Sequence, residues 1–473
     1  MAEDMDTETV RMIRGDPKKA LLKLSWPMII SMLLMSANNI IDSVWVAGLG
    51  SDPLAALGFV TPLFLILVGI GNGIGAGANS LISRKIGEKQ HYEANNAGCH
   101  SLIIGFITTI LLTVVLLVFL KPILIAMGGK DVLSYGMSYG TIIIIGTFTL
   151  TLPALFGSIL RSEGDVKRAT IPLAVTAILN MILDPIFIYV LGLGVAGAAI
   201  ATVLSGLVGL IILVYWVMIK KDTYISIERK YFRQDTSMYK DILLVGIPAS
   251  IEQLIMSITA IILNAILAMV GGTVSVAVYT AGWRLVQIGI MPAIGIGTSA
   301  ITVAGVAYGE RDYNKLKTTL NYSVKIGFIT ALIVAVIFFI FSDQLAYMFS
   351  YSSSSAELSP LISQFLKIMC LYILPVCFGI SARSVLQALG KGTQSLILTA
   401  NRSLILDVIF AAIAAFMLYA GATGVYWGIV IGDILGSIIA YFYCRYYIKR
   451  LYKLGIFKQK PNDSKKNKQD KQL

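Results

Sequence analysis

The sequence predicts an all-α integral membrane protein with 12 transmembrane helices arranged as two six-helix lobes. Three observations carry that prediction. Apolar stretches of about 20 residues or more recur along the chain, each long enough to cross about 30 Å of hydrocarbon. Basic residues are confined to alternate loops. A set of residues also repeats at one fixed offset.

Composition supports the first point. Hydrophobic residues make up 56% of the 473 and charged residues only 14%, with a mean hydropathy of +0.79. A soluble domain carries roughly 25% charged residues. Backbone groups in lipid must pair internally, so the spans should be helices. The alternating ten-residue strands of a membrane barrel are absent from the sequence. The spans fall at about 26–48, 57–82, 99–120, 136–160, 169–191, 195–219, 241–269, 277–306, 322–347, 359–387, 396–419 and 422–447. Residues Met1 to Gly15 are polar and acidic, and the first apolar run is too long for a cleavable signal core.

Basic residues cluster at the N-terminus, after the even-numbered spans and in the C-terminal tail. Examples are Arg84, Lys85 and Lys89; Arg161, Lys167 and Arg168; Lys220, Lys221, Arg229, Lys230 and Arg233; and Arg311, Lys315 and Lys317. The opposite loops hold only Lys121 and Lys130. This bias places both termini in the cytoplasm of a multi-pass protein of the cell membrane. It also accounts for the net charge of +12 without any nucleic-acid partner. The expected organisation is a cytoplasmic N-terminus (1–25), a first lobe (26–219), a cytoplasmic linker (220–240), a second lobe (241–447) and a basic, disordered tail (448–473).

The repeat sharpens this division. Gly73, Gly75, Ala78, Gly87 and Glu88 stand 222 residues before Gly295, Gly297, Ala300, Gly309 and Glu310, and Gly50 stands the same distance before Gly272. Leu160 to Gly164 lies opposite Leu386 to Gly390 after a slip of a few residues. Each half holds an even number of spans, so both halves share one orientation. Such halves typically enclose a central cavity and rock to give alternating access.

Ionisable residues in a bilayer cost at least about 2.5–3.5 kcal/mol each on insertion scales, which makes them functional candidates. The chain offers Asp42, Asp184, Glu252, Asp407 and Asp433, with Arg284, Arg383 and Arg402 as cations. Asp42, Asp184 and Thr202 each lie six or seven residues from the outer end of a span. At about 1.5 Å per residue they share one level, roughly 10 Å deep. Asn180 is one turn from Asp184, and Tyr139 is near that level. This group suits a proton shared between carboxylates, or a small cation such as Na⁺ held by Asp42, Asn180, Asp184 and Thr202. Pro185 removes a helix hydrogen bond beside the site, and Pro27 allows span 1 to bend. In the second half Glu252, Asp407 and Asp433 either line a cavity that attracts cationic cargo or pair with Arg284, Arg383 or Arg402. Asn264 falls opposite Asp42 and Val408 opposite Pro185, so the carboxylate site is not copied in full.

The segments Gly15-Asp16-Pro17, Asn39 to Gly50, Leu160 to Asp165, Asn180 to Pro185 and Leu193 to Thr202 resemble the multidrug and toxic compound extrusion (MATE) family, in its DinF-like branch. The resemblance covers nearly the whole chain. It implies a V-shaped pair of lobes that exports organic, often cationic compounds in exchange for H⁺ or Na⁺. It also implies that Asp42, Asn180, Asp184 and Thr202, with Tyr139 adjoining, form the cation site, and that protonation of Asp42 bends span 1 at Pro27. Gly157 stands where relatives can carry an Asn, and span 10 has no acid to partner Glu252. The sequence carries no GxxxxGK loop, HExxH motif or Cys/His arrangement, which argues against an ATP-driven pump and against an enzyme. The expectation is a monomeric secondary antiporter with no cofactor, working on small organic substrates within the lipid bilayer. The alternative is a flippase for lipids or lipid-linked oligosaccharides, which would want a basic cavity.

Overall fold

The structure is a computed structural model that describes residues 6–220, 222–347 and 356–457. Of the tail expected to be disordered (448–473), residues 448–453 are helical, because they continue the last span without a break, and the part from Lys458 onward lies outside the described residues, as does Lys221. A short helix α1 (Glu8–Arg14) precedes α2 (Pro17–Ala47), α3 (Ser51–Gly87) and α4 (His91–Ala126). Then follow α5 (Leu133–Ile145), α6 (Phe148–Ser162), α7 (Val166–Pro185) and α8 (Gly194–Val214). The second half holds α9 (Thr236–Gly309), α10 (Tyr313–Ile340), α11 (Ser342–Tyr347), α12 (Ser359–Ala388), α13 (Gly392–Thr399), α14 (Asp407–Ala412) and α15 (Gly421–Lys453). α5 and α6 are two segments of one span. So are α13 and α14, joined by a π-helical stretch at Ala400–Leu406.

Among the described residues, eleven helical stretches are long and apolar enough to cross a membrane. One of them, Thr236–Gly309, runs for 74 residues. At about 1.5 Å per residue that is several times what a single crossing needs. It breaks at Gly272, whose φ of 63° and ψ of −161° are not helical. The described residues therefore hold twelve spans, as predicted.

The backbone makes the duplication visible in detail. Gly50 and Gly272 both turn the chain with positive φ, 222 residues apart. So do Lys89 and Arg311. Gly164 and Gly390 repeat this 226 residues apart, and Gly194 and Gly421 at 227. The last one-residue step has a physical cause. A π-helical turn absorbs one extra residue, and the stretch Ala400–Leu406 lies between the two registers. The π-helical segments Ile186–Val190 and Ile413–Met417 then coincide at 227. This corrects the alignment of span 11. Ala412, not Val408, stands opposite Pro185, and Asp407 stands opposite Asn180.

The repeated glycines are contact points. A Cβ on Gly75 would collide with Ser158, and one on Gly297 with Ile380 and Ser384 (2.5 and 2.9 Å), so each glycine seats span 2 or 8 on the fourth helix of its own lobe. Gly73 faces Gly246 and Ser250 of the other lobe, and Gly295 faces Ile29. The inter-lobe bonds gather at the end that carries the termini. There Ser80 Oγ donates to the Gln387 carbonyl, and Thr302 Oγ1 donates to Asn79 Oδ1 at 3.1 Å. Arg14 bridges Asp6 (2.6 Å) and Glu310 (3.4 Å), and Lys315 joins Glu310 at 2.7 Å. Asp16, Asp165, Asp235 and Asp312 cap helices at the same end. Each carboxylate satisfies an otherwise orphaned N–H in the first turn.

The linker between the lobes is an ordered strap from 222 to 235. The backbone N–H groups of Ser226, Arg233 and Asp235 donate to Asn95 Oδ1 (2.7 Å), Asn96 Oδ1 (3.1 Å) and His100 Nε2 (3.1 Å) of α4. His91 contacts the Tyr224 carbonyl at 3.1 Å. Both histidines thus hold the strap. Ile225 N–H donates to Glu163 at 2.7 Å, and burial pushes that carboxyl up to about 8. The four cysteines lie buried in the helix packing as free thiols.

Candidate cation site in the first lobe

α2 brings Asp42 to the interior of the first lobe, and α7 brings Asp184, which has no solvent exposure. The two carboxyl groups interact directly, and each interacts electrostatically with the buried Tyr139 of α5. Asn180 lies one turn before Asp184, so both face the same way. Its Nδ2 donates to Asp184 Oδ1 at 3.0 Å. Asp42 Oδ1 and Asp184 Oδ2 are buried and have no hydrogen-bond partner. Two adjacent carboxyl groups that each keep a buried oxygen without a donor form an incomplete arrangement, because buried polar oxygens need partners. A proton or a small cation between them would complete it.

Four of the five predicted residues therefore converge. Thr202 is on α8, which packs against α7, but its hydroxyl donates to the Ala198 carbonyl of its own helix at 3.0 Å. Pro185 ends α7 just after Asp184, and the chain continues as a π-helical turn. Pro27 lies inside α2 near its buried start. At Gly157 the missing side chain leaves room for Arg161, whose Nη1 is 3.1 Å from where a Cβ would stand. Sequence reasoning passed over Asn38. Its Oδ1 is also buried without a partner, one helical turn before Asp42 on the same face. The spacing to Asp42 was the available signal. Among the described residues, no group of three or more His, Cys, Asp or Glu side chains is arranged to hold a metal ion.

The second lobe resolves its charges differently. Glu252 meets Arg383 at 3.3 Å, and Ser395 Oγ donates to it at 2.7 Å. Gln387 Nε2 donates to the same carboxylate at 3.3 Å. Asp433 meets Arg402 at 2.9 Å, with both side chains buried. Arg284 is exposed and joins neither pair. Asp407 and Asn264 each keep a buried oxygen without a partner.

A family model, MatE, matches residues 27–186 and 248–413 of the chain, one segment in each lobe. The chain belongs to the MATE family. Among curated MATE relatives, the multidrug export protein MepA of Staphylococcus haemolyticus is 27% identical over 90% of this chain and 92% of its own length. MepA of Staphylococcus aureus is 26% identical over 89% and 92%. A MATE crystal structure in complex with MaL6 superposes with a TM-score of 0.93 at 38% identity, covering 94% of this chain and 100% of that one. A transporter of the MOP superfamily from Pyrococcus furiosus, described as having a binding pocket of reversed polarity, gives 0.92 at 38% identity over 94% and 99%. A structure described as the outward-facing conformation of a multidrug resistance MATE transporter also gives 0.92, at 38% identity over 94% and 99%. The protein is thus a multi-pass membrane protein of a transporter family with multidrug exporters among its members.

Proposed function

We propose that this MATE protein is a secondary antiporter that exports small organic, often cationic compounds in exchange for H⁺ or Na⁺. One observation carries the reading. Asp42 and Asp184 meet inside the first lobe, each with a buried oxygen that lacks a partner. Two adjacent carboxylates cannot both stay ionised cheaply in a buried site, so one proton is held between them near neutral pH. Na⁺ fits the same hard oxygen donors, with Asn180 as a further ligand. The multidrug names of the MepA relatives support the cargo class. The clustering of inter-lobe bonds at the terminal end supports a state closed to the cytoplasm, with both termini cytoplasmic as the basic loops require. One charge moving across 100 mV supplies about 2.3 kcal/mol before any chemical gradient.

The test is efflux of a cationic dye from proteoliposomes under a pH gradient or a Na⁺ gradient, with wild type and Asp42→Asn in parallel. The expected result is efflux driven by one gradient and lost in the variant. Efflux that responds to neither gradient would overturn the reading and move the assay to lipid flipping.

A further inference from the structure

Five charged side chains approach one another inside the second lobe, and their signs do not balance. Arg383 is matched by Glu252 and Arg402 by Asp433, each at hydrogen-bonding or ion-pair distance. Asp407 is left over. It is 4% exposed, and its Oδ1 has no hydrogen-bond partner.

The groups that face Asp407 come from every helix around it. Asp433 reaches it from α15, Arg402 from the π-helical stretch, Tyr372 from α12 and Tyr279 from α9. Glu252, also on α9, acts on Arg402. Arg402 is the base within reach of Asp407, but its Nη1 is bonded to Asp433, which also accepts from Ser437 Oγ at 3.4 Å. The packing is built around this cluster. A Cβ on Gly432 would stand 2.7 Å from the Asp407 backbone, and one on Gly436 would stand 2.7 Å from Arg402 Cα. Gly379 leaves the guanidinium room on its other side, where a Cβ would lie 3.2 Å from Nη1.

A buried carboxylate without its own counter-ion costs several kcal/mol. A proton removes the charge and turns the group into a donor. The duplication places Asp407 where the first lobe has Asn180, and Asn264 where it has Asp42. Asn264 Oδ1 is itself a buried acceptor in need of a donor. We propose that Asp407 is a proton-binding site of the second lobe, separate from the carboxylate pair of the first, and that it carries one proton at neutral pH while Asp433 serves as the counter-ion of Arg402.

The full chain in lipid, measured by infrared difference spectroscopy at neutral pH, tests this through the carbonyl stretch of a protonated carboxylic acid. Wild type minus Asp407→Asn should show that band. Asp433→Asn should lose it too, because Asp407 then takes over from Asp433 as the counter-ion of Arg402 and ionises. The double variant Asp42→Asn/Asp184→Asn should keep it, whether or not the first lobe couples transport. If the band survives in Asp407→Asn, or in Asp433→Asn, the proposal is wrong. The readout does not depend on efflux, so its failure is distinct from failure of the antiport reading.

Discussion

The two lobes are copies of one six-helix unit, yet they manage buried charge in opposite ways. In the first, Asp42 and Asp184 face each other with an amide and a phenol nearby and no arginine bonded to either. In the second, Glu252 and Asp433 are each locked to an arginine, and Ser395, Gln387 and Ser437 supply further hydrogen bonds. An acid without a fixed counter-ion can exchange its cation. An acid held by a buried guanidinium is committed to that partner. It is the acids without an arginine of their own, the first-lobe pair and Asp407, that remain free to bind a proton.

The largest effect should come from breaking the first-lobe pair. Asp184→Asn should abolish gradient-driven dye efflux while leaving the chain folded, measured in proteoliposomes beside wild type. Substituting the locked pair should act on stability instead. Arg402→Gln strands Asp433 and should destabilise the protein by about 3–5 kcal/mol, and adding Asp433→Asn should recover much of that loss. Denaturant unfolding in detergent would show it, and an Arg402→Gln protein of unchanged stability would dissolve the contrast between the lobes.

Smaller effects test the symmetry itself. Gly50 and Gly272 occupy equivalent turns with φ of 110° and 63°. Replacing either with Ala should cost about 1–3 kcal/mol, by similar amounts in both lobes. Clearly unequal costs in thermal melts would show that the two turns are not equivalent. The most local effect concerns Glu163, which sits outside the spans and has no counterpart acid in the second half, where Leu389 takes its place. Burial raises its folded value to about 8, with the nearby Asp165 adding to the shift. The folded chain then holds a proton that the unfolded chain releases. Its contribution is complete below the ordinary carboxylate range and is lost as pH rises through about 8. Melting temperature should therefore fall across that window in wild type and fall less in Glu163→Gln.

Much of the first-lobe site was legible from residue positions. An aspartate in an apolar span is costly enough to stand out, and a constant helical rise places Asp42 and Asp184 at one depth. Asn180 followed from its one-turn spacing. Thr202 reached the right helix, but its hydroxyl is spent on the Ala198 carbonyl, a choice between local and distant acceptors that spacing does not decide. In the second lobe the acids and bases were all visible, but their pairing was open. Arg402 rather than Arg284 meets Asp433 because the glycines of α15 let the two helices approach closely, while Arg284 is exposed. The register of span 11 was misplaced by four residues, because the offset has already grown to 226 at Gly164 and Gly390 and the π-helical stretch then absorbs one residue more.

The number of spans, the duplication and the presence of a buried acid pair in the first half are written in the residues alone. Those follow from hydropathy, loop charge and fixed helical geometry, which act locally. Helix packing settles which arginine neutralises which acid, that the linker is held by Asn95, Asn96, His100 and Glu163, and that Asp407 is left without a counter-ion. Those outcomes depend on a few ångströms between helices far apart in the chain, and in a medium that screens charge weakly such distances set which groups keep their protons.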